Sequence, residues 1–484
     1  MRRPRNVLDL EKASRDALWR SLAGIVESYM AKVHESPVAP SVTPVEIESL
    51  LAPMQFDRQI DPRVALGFVA ENLTKHQVHT PHARYFGLFN PAPATMGIVA
   101  DALVAAFNPQ LATWNHSPFA VQLERHLIRM FGARFGYTAE DVDGTFASGG
   151  AEANHTAVLT ALEYSFPDFA RLGTRGLEKQ PRLYVSAQAH HSIVKAVRAC
   201  GLGSDAIRTI VVDDAMRIDV DALVEQLRRD RAAGDAPFMI VANAGTTNAG
   251  VVDPIASLAE VAAAERVWFH VDAAWGGAAI FLPELARLLQ GIELSDSITF
   301  DAHKFLSVPM AAGMYLTRHR DILSRTFRIT TDYMPDAAAA DLPDPYTHSL
   351  QWSRRFIGLK VFLSLAVAGW DGYEQAIRHQ TAMGNLLRRE LEAADWEIVN
   401  STPLPIACFA DRSHPRGRTE SFIHAVAREV VSSGEAWIST TRLEREIPVL
   451  RACVTNYRTE PEDIRALVGA VGKARSKLLA GQGA

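Results

Sequence analysis

The sequence predicts an α/β protein with a mostly parallel central sheet and a small C-terminal α+β lobe. Between about residues 85 and 375, short β-branched runs such as RLYVSA (182–187) and FMIVANAG (238–245) alternate with stretches of helical spacing. This alternation is typical of a parallel sheet that carries helices on both faces. A long helix over about 369–394, followed by short strands and two further helices, predicts the second lobe.

The chain has 484 residues, which exceeds the size that a single hydrophobic core normally serves. We therefore expect three units, namely an N-terminal helical segment over 1–85, a large α/β domain over 86–375 and a small α+β domain over 376–484. In the first unit, Leu18, Leu22 and Ile25 fall at helical spacing before a proline-rich strap at 33–44. The apolar face of such a helix needs a covering surface, which is either the rest of the chain or a second subunit.

The composition argues against several classes of function. There are 50 basic and 55 acidic side chains, so the net charge of −5 gives no bulk attraction to nucleic acid or anionic lipid. The longest apolar run, 361–370, is shorter than the roughly 20 residues that span a bilayer. The three cysteines are too far apart for a disulfide scaffold or a zinc site. We expect a soluble, cytoplasmic protein without a metal.

Polar side chains follow several of the predicted strands. Asp272 follows VWFHV, and Lys304 comes soon after SITF. In open parallel sheets, ligand sites lie at the carboxyl ends of the strands. A lysine beside a buried strand needs an acidic partner, a lowered pKa or a covalent role, unless it simply emerges into solvent.

Three further segments support a ligand site at the strand ends, and none of them is specific by itself. Gly149 and Gly150 precede a predicted helix, whose N-terminal N–H groups and dipole suit a phosphate. His190 follows another strand, where it can either stack on a flat ring or cap the next helix. Thr246 lies at a further strand end, in a segment that an ordinary turn also explains.

The ordered series SGGAEAN, AQAHHS, NAGTTNAGVVDP, HVDAAWGG and DAHKF resembles the group II pyridoxal 5′-phosphate-dependent amino-acid decarboxylases. This family includes the aromatic-L-amino-acid, histidine, tyrosine and glutamate decarboxylases, and the resemblance covers nearly the whole chain. It implies the fold type I (aspartate aminotransferase-like) architecture and pyridoxal 5′-phosphate (PLP) as cofactor. It also implies a homodimer with shared active sites, in which the N-terminal segment wraps the partner.

The resemblance also implies a role for each motif. Lys304 corresponds to the Schiff-base lysine, Asp272 to the partner of the pyridine nitrogen, and His190 to the residue stacked on the ring. The remaining cofactor contacts that it implies are Gly149, Gly150, Ala151, Thr246, Ala274 and His303. Many relatives have Ser or Thr where this chain has Ala151.

Elementary electrostatics supports the aspartate role independently of the resemblance. Loss of CO2 leaves an electron pair on Cα, and the cofactor absorbs it better when its ring nitrogen is protonated. A carboxylate roughly 3–4 Å from that nitrogen contributes about 4 kcal/mol at an effective dielectric near 20. Fully expressed in the transition state, this is about three decades in rate.

The reaction depends on a loop over about 330–346, which precedes Arg354 and Arg355. By resemblance, a loop tyrosine protonates Cα so that the amine is released. The spacing favours Tyr346, with Tyr333 as the second candidate, and we expect Arg354 to have a structural or loop-anchoring role.

Four other activities remain possible on this fold. An aminotransferase would need an arginine, such as Arg458, to bind the α-carboxylate. The others are an aldehyde synthase, a lyase for a sphingoid-like phosphate ester, and a silent PLP-binding scaffold.

The resemblance suggests that Phe89, Asn90 and Pro91 line the substrate pocket, with Trp114 close by. These side chains are largely apolar, which favours an L-amino acid with an aromatic or bulky apolar side chain. The alternative, decarboxylation of glutamate or aspartate, would require a buried cation to receive the second carboxylate.

Overall fold

A computed structural model describes residues 8–329, 344–443 and 447–480 and shows a large sheet of seven strands within them. These strands are β1 (Asp143–Ala147), β2 (Pro181–Ser186), β3 (Ile207–Ile210), β4 (Ala236–Asn243), β5 (Trp268–Asp272), β6 (Ser297–Asp301) and β7 (Gly313–Thr317). Their spatial order is β1-β7-β6-β5-β4-β2-β3. The pairs from β3 to β6 are parallel, and β7 runs antiparallel to both β1 and β6. The predicted mostly parallel sheet is confirmed.

The second sheet has four described strands, all antiparallel, in the order β10-β11-β9-β8. They are β8 (Trp396–Ile398), β9 (Ile406–Asp411), β10 (Ser439–Leu443) and β11 (Ile447–Cys453). This sheet packs on its own core, which includes Trp396, Phe409 and Leu387 and is separate from the core of the large sheet. The predicted α+β lobe is confirmed, whereas the exact domain boundaries stay a prediction.

Helices surround both sheets. Those before and around the large sheet are α1 (Lys12–Lys32), α2 (Pro44–Leu51), α3 (Pro62–His76), α4 (Thr95–Phe107), α5 (Pro118–Arg134), α6 (Gly150–Ser165), α7 (Phe169–Leu172), α8 (Ser192–Ala199), α9 (Val220–Ala232), α10 (Ile255–Glu265), α11 (Pro283–Ala286) and α12 (Ile322–Phe327). Those towards the C-terminus are α13 (Gly358–Ala393), α14 (Glu420–Ser433) and α15 (Pro461–Ala480). None of the helices in the described part of the chain has the length and the apolar run that crossing a membrane requires.

The long helix begins earlier than predicted, at Gly358 rather than near 369. Its axis breaks at Gly369, whose φ of 65° and ψ of 175° are not helical. Glycine tolerates this positive φ because it lacks Cβ. The helical sequence pattern is therefore interrupted at the same residue as the helix axis. The α13 N-terminus is fixed by a buried carboxylate, since Gly358 N donates to Glu124 Oε1 at 2.9 Å. Glu124 also pairs with Arg354 at 2.7 Å, as expected for a structural arginine.

Two of the three N-terminal helices, α2 and α3, have clear local start signals, and all three have little burial. Thr43 and Glu46 form a capping box before α2, and Asp61 caps α3 in front of Pro62. None of α1, α2 and α3 contains a fully buried residue. Their apolar side chains are therefore only partly covered by the described chain.

Candidate active site

The carboxyl ends of β2, β4, β5 and β6 lie along one edge of the large sheet, as parallel pairing requires. Asp272 is the last residue of β5, and Lys304 follows β6 by three residues. A backbone hydrogen bond of 3.0 Å from Asp301 N to Ala274 O joins the two strand ends. The structure therefore brings the two charged groups that the sequence singled out to adjacent positions of one edge.

Lys304 has an acidic partner that the sequence analysis did not name. Its Nζ lies 3.0 Å from Asp301 Oδ2, and the lysine side chain is 24% exposed against 1% for the aspartate. Asp301 Oδ1 is buried without a hydrogen-bond partner. The alternative in which Lys304 simply emerges into solvent does not describe this arrangement, because the ammonium is held at the sheet edge.

Asp272 is buried and receives only neutral hydrogen-bond donors. Asn154 Nδ2 donates to Oδ2 at 2.8 Å, and Ala274 N donates to Oδ1 at 3.2 Å. No lysine, arginine or histidine of the described residues forms an ion pair with it. The carboxylate is thus hydrogen-bonded but not neutralised, which suits it to a cationic ligand atom such as a protonated ring nitrogen.

His190 combines the two roles that its sequence position allowed. Its Nδ1 accepts from Ser192 N at 3.2 Å, at the first turn of α8, and lies 2.8 Å from Ser192 Oγ. Partial desolvation lowers the pKa of His190, and this effect together with Lys304 outweighs the opposing charge of Asp272. The ring is therefore neutral at physiological pH with its proton on Nε2, and its exposed surface is free to contact a flat ligand.

The N-terminus of α6 is a candidate anion site. No side chain caps the helix at Gly149, and the N–H groups of Gly149, Gly150 and Ala151 make no hydrogen bond to any described residue. A Cβ on Gly150 would come 2.8 Å from Asp301 Oδ2, so only glycine fits this approach. A Cβ on Gly149 would lie 3.4 Å from His303 Cε1, which places the buried His303 ring beside the same turn. Three free donors at a helix N-terminus match a phosphate.

Two small residues complete this edge. Thr246 is buried, and its Oγ1 accepts from Val251 N at 3.1 Å, so its hydroxyl hydrogen remains available to a ligand. Ala274 lies beside the glycine turn, since a Cβ on Gly150 would come 3.3 Å from the alanine Cβ. The residues present at the edge therefore offer PLP an amine, an anion site, a carboxylate and a flat neutral ring.

Of the four predicted pocket residues, the structure brings Phe89 to the lysine. Its ring centroid lies 6.0 Å from Lys304 Nζ, and it stacks on Trp275 at 4.4 Å. Asn90 donates from Nδ2 to Met310 Sδ at 3.6 Å, and Pro91 is buried. No described contact joins these two residues to Lys304.

The fourth pocket residue, Trp114, lies beside the segment that follows the predicted loop. Its backbone N donates to Asp344 Oδ1 at 2.7 Å, while its indole Nε1 is buried without a partner. Trp114 therefore contacts the base of the loop rather than the lysine.

Arg451 is a residue that the sequence analysis missed. Its guanidinium Cζ lies 5.0 Å from the Phe89 ring, and it donates to Thr247 O at 3.0 Å and to Gly87 O at 2.7 Å. It is buried, its Nη2 has no hydrogen-bond partner, and no described carboxylate pairs with it. An arginine inside the apolar run VLRACV indicates a buried cation. Its place beside Phe89 could not be predicted, because only tertiary packing brings this strand to the large domain.

The other arginine considered from sequence lies elsewhere. Arg458 donates to Met30 O at 3.4 Å and lines the groove between α1 and α3. It is thus a contact of the N-terminal segment. Among the described side chains, no cluster of three or more His, Cys, Asp or Glu could hold a metal ion.

Of the two candidate loop tyrosines, Tyr346 lies within the described residues. Tyr346 lies in the short turn Pro345–Thr347, where its N donates to Ala112 O at 3.1 Å and its ring packs 4.8 Å from Trp352. No described contact joins it to the cofactor residues of the sheet edge. Tyr333 lies outside the described residues.

Comparison with known proteins gives a consistent result. The family described as "Pyridoxal-dependent decarboxylase conserved domain" matches residues 49–412. The chain is 32% identical over 448 residues to an aromatic-L-amino-acid decarboxylase of Bacillus atrophaeus, covering 91% of each protein. It is 29% identical over 420 residues to an L-2,4-diaminobutyrate decarboxylase of Rhizobium meliloti (strain 1021), covering 86% of this chain and 82% of that protein. Other relatives are named for acidic amino acids and cysteine sulfinic acid.

The fold is shared with solved structures. The crystal structure of Oryza sativa TDC with PLP and tryptamine superposes with a TM-score of 0.90 at 22% identity, covering 97% of this chain and 99% of that one. This likeness confirms the predicted fold type I architecture.

His270 generates a prediction about acid stability. It is fully buried in β5, and burial lowers its pKa from 6.5 to about 4. As the pH falls, the unfolded chain takes up the proton first, so stability is complete above pH 6.5 and is lost towards pH 4. The loss amounts to about 3 kcal/mol. We expect His270→Gln to flatten this decline in the free energy of unfolding, measured by urea denaturation from pH 7 to 4.5.

The pH dependence of the His270 variant must be compared with that of a control variant. The wild-type curve alone is not sufficient, because Asp253 changes the free energy of unfolding in the opposite direction. Burial raises the pKa of Asp253 to about 6, so its effect favours the folded state at lower pH. His34→Gln serves as the control, since His34 is an exposed histidine. An unchanged pH slope in His270→Gln would show that the buried imidazole does not set the decline.

Proposed function

The chain belongs to the pyridoxal-dependent decarboxylase family, and we propose that its substrate is an L-amino acid with an aromatic or bulky apolar side chain, which it converts to the amine. It is a PLP-dependent carboxy-lyase, and PLP when bound supplies the sink for the electron pair that CO2 leaves on Cα. The observation that carries the substrate proposal is the stacked pair Phe89–Trp275 beside Lys304. An aromatic wall favours an apolar side chain because the rings themselves offer no hydrogen-bond donor or cation to a substrate carboxylate.

We propose the following roles for the residues of the sheet edge. Lys304 holds PLP covalently, and Asp301 keeps its ammonium at the sheet edge beforehand. Asp272 stabilises a proton on the ring nitrogen, and the neutral His190 packs on the ring face. The remaining groups, which bind the phosphate or line the ring, are Gly149, Gly150, Ala151, Thr246, Ala274 and His303.

A specific observation supports a second candidate, the decarboxylation of an acidic amino acid. Arg451 is a buried cation with one unsatisfied nitrogen, and its guanidinium lies against the Phe89 ring. A second substrate carboxylate would satisfy that nitrogen and pair its charge. Against this, two carbonyl oxygens and the Phe89 ring already stabilise Arg451 within the protein.

A panel of L-amino acids distinguishes these substrates. We expect the PLP-loaded protein to release amines from tryptophan, tyrosine or phenylalanine, detected by mass spectrometry as a loss of CO2. Arg451→Gln should leave that activity within about fivefold, because an apolar substrate side chain offers the guanidinium no charge or hydrogen-bond acceptor to bind. Arg388→Gln is a matched control, since Arg388 is half-buried and bonded to the carbonyls of Thr402 and Leu404.

The opposite pattern would favour the second candidate. Turnover of glutamate, aspartate or cysteine sulfinate that Arg451→Gln abolishes and Arg388→Gln preserves would identify an acidic substrate. A keto acid or an aldehyde as the main product would contradict simple decarboxylation.

We propose Tyr333, rather than Tyr346, as the group that protonates Cα. The contacts of Tyr346 with Ala112 and Trp352 support a packing role at the base of the loop. Tyr333 is the remaining candidate from the sequence, and its phenol would supply the proton that an amine product requires.

Two phenylalanine variants test this choice. We expect Tyr333→Phe to lower amine formation by about 100-fold, since a general acid typically contributes 10²–10⁴-fold. Tyr346→Phe keeps the ring that packs on Trp352 and should stay within about threefold of wild type. Product ratios of amine to aldehyde, measured by mass spectrometry, provide the readout. Loss of amine in Tyr346→Phe alone would return the role to Tyr346.

We propose that the protein is a homodimer in which the N-terminal helices pack on the partner. An apolar groove of about 440 Å³ lies between α1 and α3, lined by side chains such as Ile25, Leu66 and Leu73. Val64 is 62% exposed and Leu73 is 56% exposed on the same helix. A second copy would cover this surface, whose exposure is costly for a monomer.

Light scattering tests the dimer. We expect a mass of twice 53.1 kDa for the wild type. Leu73→Glu should dissociate it and abolish activity, whereas Val224→Glu, on the exposed surface of α9, should not. A fully active dimer in Leu73→Glu, or in a chain lacking residues 1–80, would contradict the proposal.

A further inference from the structure

The Asn154 amide links the two residues proposed to contact the cofactor ring, directly to Asp272 and through Ser192 to His190. Asn154 Nδ2 lies 2.8 Å from Asp272 Oδ2 and 2.8 Å from Ser192 Oγ. Ser192 Oγ in turn lies 2.8 Å from His190 Nδ1. Asn154 is 1% exposed, so these bonds do not compete with bulk water. The Asp272 and His190 side chains are therefore coupled through Asn154 of α6 and Ser192 of α8.

The orientation of this amide follows from its neighbours. A carboxylate only accepts hydrogen bonds, so the NH2 group of Asn154 must face Asp272. Asn154 Oδ1 then faces His270 Nε2 at 3.1 Å, and the histidine must donate. Its Nδ1 accepts from Ser297 Oγ at 2.8 Å, and that oxygen accepts from Trp268 Nε1 at 2.9 Å. Thr299 Oγ1 also lies near His270 Nε2, at 3.4 Å, so the Asp272 carboxylate is the partner that fixes the amide in one orientation.

We propose that Asn154 is a positioning residue for PLP, which orients the Asp272 carboxylate and fixes the tautomer of His190. This inference rests on the proposed roles of Asp272 and His190. A neutral donor orients the carboxylate without cancelling its charge, as a lysine or arginine at this position would. The second hydrogen of the Asn154 amide is donated to Ser192 Oγ. The serine hydroxyl then donates its own hydrogen to His190 Nδ1. The proton of His190 then remains on Nε2.

A purely structural role is the alternative, because Asn154 also satisfies buried polar groups between α6 and β5. The variant Asn154→Asp separates the two roles, since it keeps the size of the side chain and removes the donors. The titratable groups around position 154 are Asp272 and His270 on β5, His190 through Ser192, and Glu152 and His155 on α6 itself. Two facing carboxyl groups can hydrogen-bond only when they share a proton.

The first readout is the dissociation constant for PLP, measured by absorbance titration of the apoprotein between pH 6 and pH 8. We expect Asn154→Asp to bind PLP about 10- to 100-fold more weakly than wild type at pH 8, as for the loss of a hydrogen bond to a charged group. The difference in PLP affinity between Asn154→Asp and wild type should become smaller towards pH 6, where the new carboxyl group shares a proton with Asp272. The turnover number should follow the same pH dependence, with KM for the amino acid changed by less than about threefold.

The control is Thr160→Val, which removes a fully buried hydroxyl from the same helix. Thr160 Oγ1 bonds to Tyr315 Oη at 2.8 Å and does not touch the sheet edge. We expect this variant to bind PLP as the wild type does. Asn154→Ser, which retains one donor, provides a second test if the Asp variant does not fold, with an expected loss in PLP affinity of about tenfold.

Three results would overturn the inference. They are wild-type PLP affinity in Asn154→Asp or Asn154→Ser, a deficit in Asn154→Asp that is equal at pH 6 and pH 8, and the same deficit in Thr160→Val. The affinity measurement uses PLP alone, so it decides the role of Asn154 even if no amino acid is turned over. Absence of turnover by a wild-type protein that binds PLP would contradict the proposed function only.

Discussion

The site depends on one constraint, which is that the buried Asp272 carboxylate has no cationic partner within the described protein. Removing a charge from water without pairing it costs several kcal/mol, and hydrogen bonds from Asn154 and Ala274 offset part of that cost. A protonated ring nitrogen would complete the pairing. Cofactor binding should therefore stabilise the fold as well as enable the chemistry, since a ligand that binds only the folded state shifts the folding equilibrium.

The charges along the sheet edge also favour one orientation of a bound cofactor. The free N–H groups at the start of α6 attract an anion, whereas Asp272 attracts a cation. A cofactor with a phosphate at one end and a basic ring nitrogen at the other satisfies both in only one orientation. Lys304 lies next to the anion site through its pair with Asp301. We therefore expect electrostatics to set the orientation of the cofactor before any covalent bond forms.

The sequence was informative where function depends on local motifs at strand ends. The placement of Lys304 and Asp272 at one sheet edge could be predicted because Asp272 ends a strand and Lys304 comes three residues after the next one. Parallel pairing alone brings such positions together. Asp301 was missed because its role as a lysine partner depends on a turn that composition does not reveal. Arg451 was missed because it comes from the second sheet, and its contact with Phe89 arises only from the packing of the two lobes.

The most direct test of the account is the turnover number of Asp272→Asn at saturating PLP, which removes the charge but little volume. Asp253→Asn is the matched control, because Asp253 is also a buried carboxylate that accepts only N–H donors. We predict a loss of about three decades for Asp272→Asn with PLP still bound, which corresponds to about 4 kcal/mol. Turnover within about tenfold of wild type would contradict the central role of the unpaired carboxylate.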